Sequence, residues 1–167
     1  MQHPTPSDDW NARVEAVWAA ADELGDDAVI ERIDALAAER GADDARALFE
    51  RAGARDSAGL ESEAAPLYRE ALAGGGLDEV HRPQAVIQLA STLRNLGEVE
   101  ESIRMLEAER VQHPESPLDD AAAAFLALAL VTRGDAERAA SVALSALAPH
   151  LQLYTRSVHA YAAELAL

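Results

Sequence analysis

Between Val86 and Pro114 the apolar positions fall into two helical sets separated by one glycine. Val86, Leu89, Ala90, Leu93 and Leu96 recur at three- and four-residue steps, and Val99, Ile103, Leu106 and Val111 do so beyond Gly97. A glycine placed between two amphipathic runs can adopt φ > 0 and close the first helix, so the chain doubles back. Pro114 then stops the second helix, because it has no N–H to continue the ladder. The stretch predicts an antiparallel helix pair.

The same pattern extends in both directions. Residues 1–6 read as a disordered lead. Ser7-Asp8-Asp9 opens a helix expected to reach Leu24, with Trp10, Val14, Val17 and Trp18 on one face, and Gly25 ends it. Asp26-Asp27 opens a second, bearing Val29, Ile30, Ile33 and Leu36, and Gly41 closes it. Asp43-Asp44 opens a third, ending near Ser57 or Gly59. A fourth follows over Leu60–Ala73, where Pro66 should bend the helix or delay its start. Gly74-Gly75-Gly76 is a break, and Pro83 suits the first turn of the next helix. Beyond the central pair, Asp119-Asp120 opens a seventh helix ending at Gly134. Asp135 opens an eighth, stopped by Pro149, and a ninth starts near Leu151. Runs rich in Val, Ile and Thr, which strands favour, are missing.

The turn glycines repeat. Gly25, Gly59, Gly97 and Gly134 are 34, 38 and 37 residues apart (59−25, 97−59, 134−97), a period that points to stacked helical units. On these residues the chain resembles the tetratricopeptide repeat family, in a small bacterial form. The central repeat carries the pattern as Val86, Leu89-Ala90, Leu93, Gly97, Ser102, Leu106 and Pro114. The preceding one has Leu48, Ala52, Gly59, Ala64, Tyr68 and Ala71; the following one has Ala123, Leu126-Ala127, Leu130, Gly134, Ala139 and Ala143. Arg51, Arg55 and Glu109 depart from it, standing where apolar or small residues are usual. The resemblance implies an all-α, α-α superhelix of about nine helices in one domain over residues 7–167. Its expected parts are a degenerate pair at 7–41, repeats near 45–76, 83–114 and 119–150, and a capping helix at 151–167.

Charge narrows the partners. Thirty acidic residues oppose 14 basic ones, all arginine, for a net charge of −16. That field repels phosphate backbones and anionic lipid, so neither nucleic acid nor membrane is an expected partner. The longest apolar run, Ala121–Val131, is shorter than the ~20 residues a bilayer span needs. With no cysteine, disulfides and thiolate zinc sites are excluded. The first six residues have no signal-peptide character, so a cytoplasmic location is expected.

Catalytic chemistry finds no support. There is no His-Glu-x-x-His helix, no Gly-x-Ser-x-Gly elbow and no phosphate-loop Gly-Lys-Ser/Thr after Gly74-Gly75-Gly76. The recurring Asp pairs at 8–9, 26–27, 43–44 and 119–120 are read as helix caps rather than as a metal-binding cluster. His113 and His150 each flank a proline at a helix end. The expectation is a non-enzyme with no cofactor and no metal.

The resemblance implies a concave groove lined by the first helix of each pair. Arg46 and Phe49 would face it in one repeat, and Gln84, Ile87, Gln88, Ser91, Arg94 and Asn95 in the next. Amides, an arginine and two apolar anchors would suit an extended peptide or a helix of a protein partner. The run Ala121–Val131 is apolar around its whole circumference and should be buried on all sides, by the C-terminal helix or by a second subunit. Phe125, Leu128, Tyr154, Val158 and Tyr161 are therefore candidates for a homodimer interface. The competing readings are a self-associating structural protein with an empty groove, and a small-molecule sensor.

Overall fold

The computed structural model describes residues 6–165. Three of its interhelical turns are built alike. At Gly59, Gly97 and Gly134 the backbone takes φ of 73°, 85° and 94°. The residue after each glycine donates its N–H five residues back: Leu60 to the Arg55 carbonyl (2.8 Å), Glu98 to Leu93 (2.8 Å) and Asp135 to Leu130 (2.9 Å). The glycine N–H itself bonds three residues back, to Asp56 (3.0 Å), Arg94 (3.1 Å) and Val131 (2.9 Å). This paired closure is the Schellman motif, and its left-handed residue costs a non-glycine roughly 1–2 kcal/mol. One residue later a new helix begins, which makes each turn a hairpin.

The helices so joined are α4 (Ala45–Ser57) with α5 (Glu61–Ala73), α6 (His81–Asn95) with α7 (Val99–Gln112), and α8 (Asp119–Arg133) with α9 (Ala136–Leu147). Ahead of them lie α1 (Pro6–Ala19), α2 (Ala21–Leu24) and α3 (Asp26–Ala37); after them come a 3-10 turn (Ala148–His150) and α10 (Thr155–Glu164). No strand occurs among the described residues.

The chain divides into two compact units, Met1–His81 and Arg82–Leu167. The boundary falls between two of the predicted repeats. In the first unit α3 packs on both α1 and α4, and α4 on α5. Trp10, Val14, Val17, Val29, Ile33 and Leu36 form its apolar centre. In the second, α7 packs on α8, α8 on α9 and α9 on α10. Ile87, Ala90, Ile103, Leu106, Leu126 and Leu130 form the centre there.

Small residues let the paired helices approach. Ala52 and Ala64, in α4 and α5, are both fully buried. Ala90 and Ser102 hold the matching places in α6 and α7, and Ser102 Oγ donates to the Ala90 carbonyl at 2.6 Å. A buried hydroxyl is tolerated there because the facing carbonyl accepts its proton.

Several sequence-based expectations change. The helix expected over residues 7–24 is broken at Ala20, whose φ/ψ of −100°/7° separates α1 from α2. No proline or glycine marks that break. The expected lead lies outside the described residues except for Pro6, which opens α1. The second predicted helix ends at Ala37, not Gly41, and Gly41 is not among the positive-φ glycines. Glu39 and Arg40 are instead held by other elements: Arg13 of α1 donates two bonds to the Glu39 carboxylate (2.8 and 2.5 Å), and the Arg40 guanidinium lies 4.5 Å over the Trp10 ring. Pro66 neither delays nor ends α5, which runs from Glu61 through it. Leu96 and Val111 share the helix-period spacing of the core yet are 40% and 81% exposed. Both sit in the last turn of a run, past the reach of the packed neighbour.

The aspartate pairs do not all cap. Asp44 is the N-cap of α4, and its Oδ1 accepts from the Ala47 N–H at 2.9 Å. Asp26-Asp27 and Asp119-Asp120 instead lie inside the first turns of α3 and α8, whose N-caps are Gly25 and Leu118. There the carboxylates act on the macrodipole, a weaker effect. Asp8 and Asp9 lie within α1, and Asp9 pairs with Arg13 at 3.2 Å. The side-chain cap that the pairs did not include is Asp135, which accepts from Arg138 N–H at 3.3 Å. Asp44→Ala is therefore expected to cost about 1 kcal/mol, and Asp26→Ala only a few tenths. Urea denaturation of the two variants checks this; equal losses would contradict the assignment.

Candidate functional site

The face of α6 proposed from sequence forms one stripe. Gln84, Gln88, Ser91 and Asn95 follow one another at steps of four, three and four, so they lie along one side of the helix. The first three are half-buried and Asn95 is exposed. Arg94 sits beside the stripe and donates from Nη2 to Asn95 Oδ1 at 3.1 Å. Ile87, expected as an apolar anchor, is buried in the core of the second unit and is not offered to a ligand.

On α4 the two expected groove residues are also engaged internally. Phe49 is buried, with its ring 6.2 Å from that of Tyr68 and 5.7 Å from that of His81. Arg46 forms an ion pair with Glu50 one turn on, and its guanidinium lies 5.8 Å from the Trp10 ring and 5.4 Å from the Phe49 ring. Burial holds this guanidinium below the usual arginine value, against the opposing field of Asp78. Glu50 also accepts from Trp18 Nε1 at 2.5 Å. This cluster ties α1 to α4.

The three residues that depart from the repeat pattern have a common explanation. Arg51 and Arg55, four residues apart on α4, both reach Asp34 on α3. Arg51 Nε bonds its Oδ1 at 3.0 Å, and Arg55 takes Oδ1 and Oδ2 at 3.0 and 2.8 Å. Glu109, 5% exposed on α7, accepts a two-pronged bond from Arg82 at 2.9 and 2.9 Å. Charges occupy apolar places because each has a partner on the neighbouring helix, and two-pronged guanidinium–carboxylate bonds are the stronger kind. The sequence signal was present: Arg51 and Arg55 share one face, and Asp34 lies one helix earlier.

Partial burial pushes the Asp34 carboxyl up, but the hydrogen bonds from Arg55 and Arg51 outweigh it and hold the group below the usual aspartate range. Its folded value is thus lower than its unfolded one, near 3.9. Such a group contributes stability above about pH 4, and that contribution disappears as pH falls through the folded value. Asp34→Asn should lower stability at neutral pH and flatten the acid limb of the stability profile. Denaturation midpoints of parent and variant between about pH 2.5 and 7 test this. Parallel profiles would show that Asp34 is not coupled to folding.

The C-terminal candidates separate by exposure. Phe125 packs partly against the core of the second unit. Leu128 is 46% exposed, Tyr154 75% and Tyr161 65%; Val158 is half-buried. Within a single chain the apolar run is therefore not covered on all sides, and the C-terminal helix is not what covers it. Ala124, Leu128 and Val131 form an open stripe on α8, because α10 packs on α9 and on the 3-10 turn rather than over α8. Tyr154 is the one non-glycine residue with positive φ among the described residues, at 69°, and it is the N-cap of α10. Of the histidines near the predicted helix ends, His150 reaches across to the first turn of α8, its Nε2 2.8 Å from Asp120 Oδ2, and His113 is the C-cap of α7.

Among the described residues no group of three His, Asp or Glu side chains is placed to hold a metal ion, and no helix is long and apolar enough to cross a membrane. No curated protein and no solved structure gives a significant match to the chain. A family model described as Tetratrico peptide repeat matches residues 45–165. Those residues start at the first helix of the first Schellman hairpin and run through the other two and α10. The shared turn at Gly59, Gly97 and Gly134, the small residues at the first two crossings and this match agree: the chain belongs to the tetratricopeptide repeat family.

Proposed function

We propose that the protein is a non-catalytic, cytoplasmic interaction module that binds a peptide or protein segment along the first helix of its central hairpin. The observation that carries this reading is the polar stripe Gln84, Gln88, Ser91 and Asn95, with Arg94 beside it, on the first helix of the central hairpin. Amide and hydroxyl groups at that spacing suit the backbone of an extended peptide, since each can donate and accept. Phe49 and Ile87 give the stripe no apolar anchor, so the bound segment is read as polar. The chain's net charge of −16 favours a basic one.

A second reading is supported by the apolar groups left open on the C-terminal half. Leu128 and Val131 on α8, and Tyr154 and Tyr161 at α10, are more exposed than such residues usually are. They support a homodimer built on this half, in which Tyr side chains supply contact area at low entropic cost.

Affinity purification from the native host, with the Arg94→Ala/Asn95→Ala variant alongside the parent, tests the first reading. A partner held by the parent and lost by the variant is expected; a partner held equally by both would remove α6 from the site. Light scattering at micromolar concentration tests the second, and a monomeric mass rejects it.

A further inference from the structure

An open cavity of about 410 Å³ lies between the end of α3 and the start of α4. That volume is within the range of small-molecule sites. Its floor is aliphatic, formed by Ala37, Ala47 and Leu48, and its charged lining consists of Arg40, Arg51 and Asp34. It lies on the opposite side of α4 from Arg46 and Phe49, because residues 47, 48 and 51 point away from 46 and 49 around a 3.6-residue helix. The cavity shares no residue with the polar stripe of α6.

The two arginines are held in a similar way. Arg40 is tethered through Nε to Asp44 at 3.0 Å, and Arg51 through Nε to Asp34 at 3.0 Å. Among the described residues, the terminal amino groups of both guanidiniums make no hydrogen bond. Two cations are thus oriented by their inner nitrogens, with their outer donors left over at the mouth of an apolar hollow. Surface arginines without this tethering would lose more side-chain freedom on capturing an anion.

We infer that this cavity binds a small monoanion with an aliphatic body, a medium-chain carboxylate, whose headgroup takes the outer donors of Arg40 and Arg51 while its chain lies on Ala37, Ala47 and Leu48. A single carboxylate fits better than a phosphate or a dicarboxylate. Asp34 lines the same space and would repel a second negative charge, and the aliphatic floor has nothing to offer one. The negative end of α3 and the positive end of α4 both lie at this site, so the helix dipoles largely offset each other.

The two tryptophans report on the site. Trp10 lies under Arg40 and donates its indole N–H to the Leu36 carbonyl at 2.8 Å, whereas the Trp18 indole is bonded to Glu50 on the other side of α4. Titration of the full chain with sodium hexanoate, followed by proton–nitrogen correlation spectra, should shift the Trp10 indole and the backbone amides of residues 37–48. The Trp18 indole should stay in place. A dissociation constant near 1 mM or tighter is within reach of a ligand this small. Arg51→Gln and Arg40→Gln should each weaken binding about tenfold, the value of one charge-assisted contact. Hexanol and inorganic phosphate should leave these signals unchanged. Ala42→Leu alters no charge and fills part of the cavity, so it should also weaken hexanoate, and it carries the test where an arginine variant loses helicity. Hexanol shifting the same signals as strongly, phosphate binding better than hexanoate, parent-like binding by Ala42→Leu or by a folded arginine variant, or no shift at about 10 mM would each overturn the assignment.

Discussion

Arg46→Met is expected to lower stability by about 3–5 kcal/mol, the range for removing one partner of a buried ion pair. Glu50 is 4% exposed, and after the substitution the Trp18 indole is its one remaining partner among the described residues. A neutral donor does not replace a cation for a carboxylate shielded from water. The aliphatic stem of methionine keeps contact with the Trp10 and Phe49 rings, so the loss reports mainly on charge. Glu50→Gln keeps the Trp18 bond and should cost less. The double variant Arg46→Met/Glu50→Leu should recover much of the single loss, since a matched apolar pair is often as stable as a buried ion pair. Urea denaturation of the three variants measures this. A loss below about 1 kcal/mol for Arg46→Met would place the pair among solvent-screened surface bridges.

Leu106→Ala should cost about 2–5 kcal/mol. Leu106 is fully buried on α7, in the place that Tyr68 fills on α5, and it packs among Ile87, Ile103, Leu126 and Leu130. Truncation there leaves a cavity that helices on both sides keep from collapsing. Val111, on the same helix and with the same predicted spacing, is 81% exposed, so Val111→Ala should stay within about 0.5 kcal/mol of the parent. Thermal or urea melts of the two variants separate core from solvent-facing positions. Similar losses for both would mean that α7 buries a different face.

The hairpins were legible because their signals are local. Gly59, Gly97 and Gly134 each determine a turn through their own φ, and the apolar period on either side needs only the neighbouring turns of the same helix. The candidate site was legible in part. Gln84, Gln88, Ser91 and Asn95 do lie along one face of α6, as their spacing required. Whether a residue on such a face is covered depends on another helix, so Phe49 and Ile87 moved from expected anchors to packed interior. The aspartate pairs illustrate the same limit. Asp44 and Asp26 look alike in sequence, yet a cap requires a particular backbone angle before the helix, and only Asp44 has it.

By itself, the sequence determined the helical class, the repeat period and the position of each hairpin bend, because backbone sterics and side-chain period act over a few residues. Tertiary structure decided that Arg51 and Arg55 converge on Asp34, that Glu109 faces Arg82, and that the outer donors of Arg40 and Arg51 border a hollow between α3 and α4. Those outcomes join residues 11 to 27 positions apart (51−40, 109−82), or from different helices. Only packing sets the distances between them, and Coulomb and hydrogen-bond energies depend on those distances.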